Sequence, residues 1–514
     1  MKKNNNNFIM RSMDKIEKLG NALPDPALLF LILAFVTMLA SYFAAKLNLS
    51  VTYEGLDSAG EIKNITVDTY NLLSTEGIHY MLANVISNFT NFFPLGTVFT
   101  VVLGVSVSEG TGMLSALLRK IVAKTPKSFI SAMVVFLGIM SNLASSTGYI
   151  VLVPLGAIIF MASKRHPIAG LAAAYAGVSG GWTANLLLGS NDPLYAGMST
   201  QAAQILDANY VVDPTGNWYF MIASTILVTL VGTYVTDKIV EPRLPRYKEN
   251  SEDTVEALTE EENKGMKAAG IAALLYLLVL GILVIPSNGF LRNPETGSVL
   301  GSPFMDSIVL FMMLFFLIPG IAYGKASGKI KTSKDITALM SDGIEGISSF
   351  LVLIFFAAQF TFFFNKSNLG TIISVNGAQL LENIGLIGLP LILVFILVTA
   401  LINLIMPVDT AKWAMMAPIF VPMFMRLGLS PEITQLVFRI GDSITNIITP
   451  LMPFFVMIVA YFQKYDKKAG IGSVVSTMLP YSIALLIGWV LLLSAWYVLQ
   501  LPLGPGAGIL YGLI

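Results

Sequence analysis

Apolar runs near the length of a bilayer crossing recur along the whole chain, with short polar stretches between them. One helical pass through a membrane needs about 20 such residues. The runs fall at roughly 25–46, 93–118, 128–163, 168–190, 217–236, 268–286, 304–322, 346–364, 386–425, 432–463 and 474–500. Two of them, 128–163 and 386–425, have a polar, turn-forming centre and are too short for two full passes plus a connection, which need more than about 40 residues. The pattern predicts that each enters the membrane, turns and returns to its starting side as a re-entrant hairpin.

Lysine and arginine positions orient this plan. If both long segments are hairpins, 1–22, 119–127, 164–167, 237–267, 323–345 and 464–473 share one side and hold 24 of the 31 basic residues. Only Lys63, Arg292, Lys366 and Arg426 lie on the other. The positive-inside rule makes the first side cytoplasmic. Nine crossings plus two hairpins follow, with the N-terminus inside and the C-terminus outside. Two extra crossings per long segment would preserve the same sides, so charge sets orientation while length and turn chemistry argue for hairpins. The basic, polar first 20 residues read as a retained cytoplasmic tail.

The two hairpins resemble each other. SNLASSTGYIVLVPLGAIIF (141–160) parallels NLIMPVDTAKWAMMAPIF (403–420), with Pro154 on Pro418, Ser145 on Asp409 and Ser146 on Thr410. A polar, breakable crossing follows each: GVSGGWTANLLLGSNDPLYAG (177–197) and FRIGDSITNIITPLMPFF (438–455), with Asn185 on Asn446. One set enters from inside and the other from outside, the inverted-repeat plan of secondary transporters. Gly180, Gly181 and Pro193 are candidate breaks in the first crossing, Pro450 and Pro453 in the second, with Pro431 at its start; each could also be an ordinary packing glycine or kink. Unwound backbone is tolerated in lipid only where protein or a watery cavity satisfies it. Its N–H groups suit anions and its carbonyls suit cations. The expected division is 1–92 (tail, first helix, outer loop), 93–236 (first repeat), 237–322 (cytoplasmic linker and connecting helices), 346–500 (second repeat) and 501–514 (periplasmic end).

Composition narrows the chemistry. The chain is 55% hydrophobic and 12% charged, with zero net charge, which gives no reason to expect a nucleic-acid partner. It lacks cysteine and has two histidines, His79 and His166, which excludes disulfides, thiolate metal sites and a His-rich metal site. HExxH and P-loop motifs are absent, so no enzyme activity and no ATP are implied. Energy would come from an ion gradient, and no cofactor is expected.

Ionisable groups inside a span are costly and default to function. Arg439, Asp442 and Asn446 share a helix face at i, i+3 and i+7. They read either as a structural Arg439–Asp442 pair or as a cation coupled to a titratable carboxylate. Lys412 and Trp413 follow the second tip and could hold a substrate carboxylate and an aryl ring. Thr410 would add hydrogen bonds, and Asn403 an amide oxygen for an ion. Ser141, Asn142, Ser145, Ser146 and Thr147 form the first tip, where Ser145 and Ser146 are candidate substrate-binding hydroxyls or only satisfy their own turn backbone. Asp192 is a second titratable candidate or a turn-forming aspartate at a helix end. Asn142, Asn185 and Asn446 are candidate Na⁺ ligands.

The stretch VPLGAIIFMASKRHPIAGLAAAYAGVSGGWTANLLLGSNDPLYAG resembles the AbgT family, as do AKWAMMAPIFVPM, RIGDSITNIITP and LPYSIALLIGWVLLLSAWYVLQLPLGPGA. The similarity runs from about residue 12 to near the end. It implies a bowl-shaped homodimer in the bacterial inner membrane, coupled to H⁺ or Na⁺. It also implies an all-α membrane protein of nine transmembrane helices and two re-entrant hairpins, working as an elevator-type transporter. The implied substrate is p-aminobenzoyl-glutamate, a small anionic aryl-amide; some members are described as antimetabolite (sulfonamide) efflux pumps. Family functional positions match at Asp192, Asn403, Thr410, Trp413, Arg439, Asp442 and Pro450. The tip Pro407–Thr410 departs from the family's Gly/Ser-rich pattern. It adds Asp409, which would repel an anion unless protonated or paired with Lys412 or Na⁺; Asp409 is therefore expected to join cation coupling. A dicarboxylate or citrate carrier, a channel and a membrane-embedded hydrolase are the competing readings.

Overall fold

The computed structural model describes residues 26–56, 62–123, 126, 129–144, 148–245, 258–299, 302–346 and 348–512. It is mostly helical. Six helices among the described residues are long and apolar enough to cross a membrane, or seven if a bent pair counts as one span. The protein is a multi-pass membrane protein.

Helix α1 (Pro26–Lys46) leads into the polar segment 47–92. This segment holds a β-hairpin, β1 (Ser50–Leu56) against β2 (Ile62–Asp68), with Val51 opposite Val67 and Tyr53 opposite Ile65. The hairpin is a small exception to the all-α expectation. Helix α2 (Thr75–Thr90) follows, its first turn capped by the Ser74 hydroxyl, which accepts from Gly77 N–H at 3.0 Å. The predicted crossing 93–118 is two helices, α3 (Phe93–Gly110) and α4 (Met113–Ala123), bent by 61°. Gly112 between them has φ +83°, a conformation natural to glycine.

The first long segment is helix–break–helix. Helix α5 (Ile130–Ser141) passes into a 3₁₀ turn at Asn142–Ala144, and a π-turn at Gly148–Leu152 opens α6 (Val153–Ala162). Ser145, Ser146 and Thr147 lie outside the described residues. Helix α7 (Pro167–Tyr175) then loosens into a π-turn at Ala176–Gly180 and ends. Gly180 and Gly181 do mark a break. Pro193 does not: it lies in the first turn of α8 (Asn191–Ala203), where a missing N–H costs nothing. The expected crossing 168–190 is thus a helix and an irregular stretch, with a further helix only after it. Helix α9 (Trp218–Val235) continues through a π-turn and a 3₁₀ turn to Arg243, and α10 (Glu260–Val284) starts before the predicted span, which shortens the expected linker from both ends. The start of α10 is a capping box: Glu262 N–H donates to Thr259 Oγ1 at 3.1 Å and Thr259 N–H to Glu262 Oε2 at 3.0 Å.

Helices α11 (Ile308–Ala326), α12 (Ser333–Gly346), α13 (Ser348–Lys366) and α14 (Leu369–Asn383) lead to the second long segment. That segment is α15 (Gly388–Ile405), a three-residue break, and α16 (Asp409–Arg426). Helix α17 (Pro431–Asn446) comes next and is buried at every residue. Pro431 starts α17 rather than breaking it, with Ser430 capping Ile433 N–H at 3.2 Å. Pro450 explains where α17 stops. A proline ring clashes with the carbonyl four residues earlier, and α17 ends at Asn446. Pro453 lies in the irregular stretch before α18 (Phe455–Tyr465), and α19 (Ile471–Val498) follows.

The core brings the two breaks together. α17 packs on α15, α16, α8 and the π-turn after α7, and α5 packs on that same π-turn. These crossings are close because glycine permits it. A Cβ on Gly138 would lie 2.7 Å from Gly177 Cα, and one on Gly441 would lie 2.6 Å from Ile396 O.

Candidate functional site

The site forms where the end of α17 meets the start of α16 and the broken stretch after α7. Lys412 is fully buried and Asp442 is 1% exposed, and they pair at 2.5 Å. A buried ion pair survives only when its remaining hydrogen-bonding capacity is met. Here it is. Lys412 Nζ also donates to Asn403 Oδ1 at 2.5 Å, and Asp442 Oδ2 accepts from Asn446 Nδ2 at 2.8 Å. Asn403 Nδ2 closes the circuit on Asp442 O at 2.9 Å, Thr445 Oγ1 at 2.9 Å and Asn446 Oδ1 at 2.8 Å.

A second buried pair lies beside the first. Arg439 Nη1 is 2.8 Å from Asp192 Oδ1, with side chains 4% and 3% exposed. Asp192 Oδ2 accepts from Gly189 N–H at 2.6 Å, so this aspartate both holds a turn and pairs a cation. The Arg439–Asp442 pair suggested by helix spacing does not form. Each residue takes its partner from another element, because Lys412 and Asp192 reach the same buried volume from α16 and α8. Thr183 Oγ1 donates to Arg439 O at 2.6 Å and bonds Ser443, fastening the broken stretch after α7 to α17.

Asp409 does not pair with Lys412 either. Its Oδ2 accepts from Trp182 Nε1 at 2.8 Å and from the Tyr195 hydroxyl, and its Oδ1 accepts from Thr410 N–H at 2.7 Å. Trp413 is fully buried. Its ring packs on Phe438 at 4.5 Å and its Nε1 donates to Ser199 Oγ at 3.1 Å. In this conformation neither Lys412 nor Trp413 is open to solvent.

Two of the three candidate Na⁺ ligands have their amide oxygens engaged. Asn446 Oδ1 accepts from Asn403, and Asn185 Oδ1 accepts from Leu187 N–H at 3.1 Å. Asn142 Nδ2 donates to Val178 O at 3.0 Å and Gly181 O at 3.4 Å, while its Oδ1 is buried with no hydrogen-bond partner among the described residues. No group of three or more His, Asp or Glu suited to a metal ion occurs among the described residues.

Comparison with known proteins shows the family. The family model described as "AbgT putative transporter family" matches residues 11–511. The chain belongs to the AbgT family. It is 39% identical to the p-aminobenzoyl-glutamate transport protein of Escherichia coli (strain K12), over 96% of this chain and 95% of that one. Two solved transporters share the AbgT-like fold. The Neisseria gonorrhoeae MtrF structure, described in terms of a class of antimetabolite efflux pumps, is 45% identical with a TM-score of 0.90, covering 96% of this chain and 99% of that one. The Alcanivorax borkumensis YdaH transporter, described as having an unusual topology, is 40% identical with a TM-score of 0.88, covering 94% and 100%. The chain is therefore a homologue of transporters, and the candidate residues above lie in the fold that it shares with them.

Sequence reasoning missed Trp182, Tyr195, Ser199 and Gln435. The first two sit in the quoted string GGWTANLLLGSNDPLY and have an apolar body with a polar tip, which was the available signal. Ser199 and Gln435 bear no charge and stand in helices, so nothing in the pattern set them apart.

Proposed function

We propose that the protein is a secondary transporter of p-aminobenzoyl-glutamate or related antimetabolites across the bacterial inner membrane, driven by an H⁺ or Na⁺ gradient. The observation that carries this reading is the pair of buried ion pairs, Lys412–Asp442 and Arg439–Asp192, joined at the meeting of two broken crossings. Two cations and two anions held in one buried volume offer positions that a dicarboxylate and a coupling ion can exchange with. A substrate carboxylate takes Lys412 or Arg439 as partner when Asp442 or Asp192 takes up the coupling ion. Neither charge is then left unpaired in the interior, where an uncompensated ion costs several kcal/mol. The aryl ring of the substrate is assigned to the Trp413–Phe438 surface, opened when α16 moves.

In this reading the crossings are α1, α3 with α4, α7 with the stretch after it, α9, α10, α11, α13, α17 with α18, and α19. The segments 128–163 and 386–425 are the re-entrant hairpins of two inverted repeats, and one unit moves against the other as an elevator. The N-terminus is cytoplasmic, the C-terminus periplasmic, and the working form a homodimer. The repeat reading is supported by equivalent hydrogen bonds 261 residues apart, Asn142 to Gly181 O and Asn403 to Asp442 O.

The test is p-aminobenzoyl-glutamate flux in proteoliposomes under a pH gradient and a Na⁺ gradient imposed separately, for wild type and Asp442→Ala. Flux under one gradient that Asp442→Ala abolishes supports the reading and names the ion. An absence of flux under both gradients would sink the substrate assignment.

A further inference from the structure

Asp409 opens α16 at the second break, and three donors converge on its carboxylate. Trp182 Nε1 reaches Oδ2 at 2.8 Å from the first-repeat break, and the Tyr195 hydroxyl reaches the same oxygen from α8. Thr410 N–H, in the first turn of an 18-residue helix, reaches Oδ1 at 2.7 Å. A cation, itself paired with Asp192, stands behind these neutral donors. The Arg439 guanidinium carbon lies 5.0 Å over the Tyr195 ring, and its Nε is buried with no hydrogen-bond partner among the described residues. An ionised carboxylate is acceptor-only, so this is the donor set of a carboxylate-binding cradle.

The cradle is not built from one stretch of chain. Its indole and phenol come from the first repeat, and its helix start from the second. Tyr195 is 1% exposed, whereas Trp182 and Asp409 are half-buried, so one side is open to exchange. A structural aspartate at a helix start needs only its own turn to satisfy it. An indole and a phenol aimed at the same oxygen from another repeat are more than that role requires.

We infer that Trp182 Nε1, Tyr195 OH and the α16 N-terminus form a subsite for a substrate carboxylate, and that Asp409 occupies it as an internal stand-in until substrate displaces it. The ligand class is a carboxylate-bearing anion; its identity as p-aminobenzoyl-glutamate rests on the function proposed above. Asp409 thereby acts as a specificity-determining residue. It keeps the donors satisfied in the empty carrier and sets a threshold that a weakly bound anion does not pass. The anion must also replace the charge it displaces, which favours ligands with two carboxylates, one for the cradle and one for a buried cation.

The experiment is equilibrium binding to the purified full chain in detergent, by calorimetry, for wild type, Asp409→Ala, Asp409→Asn and Asp409→Ala/Trp182→Phe. With p-aminobenzoyl-glutamate, Asp409→Ala should tighten binding by about tenfold, because the internal competitor is gone while the donors remain. Asp409→Asn should move the same way and serves if the alanine variant does not fold. Adding Trp182→Phe should remove most of the gain, since a donor is lost. Loss of a negative charge alone would tighten binding regardless of Trp182, so a gain that persists in the double variant would overturn the inference. Unchanged or weaker binding in both Asp409 variants would overturn it too. The neutral analogue p-aminobenzamide should show no Asp409 effect. Glutarate separates the two levels of the argument. If no variant binds p-aminobenzoyl-glutamate but Asp409→Ala gains glutarate binding through Trp182, the substrate reading fails and the cradle stands. If Asp409→Ala binds neither, the cradle falls.

Discussion

Asn142 and Asn403 make the same bond in two halves of the chain: each donates its amide nitrogen to a carbonyl 39 residues later, Gly181 at 3.4 Å and Asp442 at 2.9 Å. Their amide oxygens differ. That of Asn403 accepts from the Lys412 ammonium, while that of Asn142 is buried with no partner among the described residues. The second half carries its cation on a side chain; in the function proposed above, the Asn142 oxygen takes one from solution. Asn142→Ala is therefore expected to raise the Na⁺ concentration for half-maximal flux by about tenfold, the scale of one lost hydrogen bond to a charged group. Flux against Na⁺ concentration in proteoliposomes checks this, and an unchanged Na⁺ curve would remove Asn142 from ion coupling.

Lys412 and Asp442 should be intolerant of single truncation and more tolerant of paired replacement. Removing one partner of a buried pair leaves an uncompensated charge and costs about 3–5 kcal/mol, while an apolar pair of similar volume can be near neutral. Lys412→Ala and Asp442→Ala are expected to lower the thermal unfolding temperature in detergent markedly. Lys412→Met/Asp442→Leu is expected to recover much of the stability and none of the transport. If the double variant transported, the pair would be structural only.

Trp413 is held by a chain of side chains. Its Nε1 donates to Ser199 Oγ, Ser199 Oγ to Gln435 Oε1 at 2.7 Å, and Gln435 Nε2 to Asn217 Oδ1 at 2.8 Å. Ser199 and Gln435 are positioning residues for the indole. Ser199→Ala is expected to raise KM several-fold with a smaller change in kcat and little change in unfolding temperature, since a neutral hydrogen bond contributes about 1 kcal/mol. Equal falls in kcat and stability would point instead to a general packing role.

His166 caps α7 at the turn between α6 and α7. Its Nδ1 accepts from Ile168 N–H at 3.2 Å, which requires an unprotonated nitrogen. Burial holds the imidazole below its usual range, against the pull of Glu241. The folded state thus resists protonation. The stabilisation is fully present above the unfolded value of about 6.5 and is lost as pH falls below it. The unfolding temperature is expected to drop between pH 7 and pH 5, and His166→Asn, which keeps an acceptor without titrating, should flatten that part of the curve. An identical slope in the variant would assign the acid sensitivity elsewhere.

Much of this protein is written in one dimension. The apolar runs, their lengths and the asymmetry of lysine and arginine determine that the chain crosses a membrane many times, because hydrocarbon accepts only long apolar helices with satisfied backbones. The breaks at Gly180, Gly181 and Pro450 were legible for the same reason: proline and glycine act on backbone within four residues. The helix at 75–90 and the β-hairpin before it were not, since a polar segment has no apolar run to betray it. Charge in the membrane marked Asp192, Lys412, Arg439 and Asp442 as candidates, but their pairing belonged to the tertiary structure. Arg439 and Asp442 share a helix face, yet Arg439 pairs with Asp192 and Asp442 with Lys412, from segments up to 247 residues away. Helix spacing says which side chains point the same way. Only the packing of α16, α17 and α8 decides which opposite charge arrives there, and a buried charge takes the partner that leaves none unpaired.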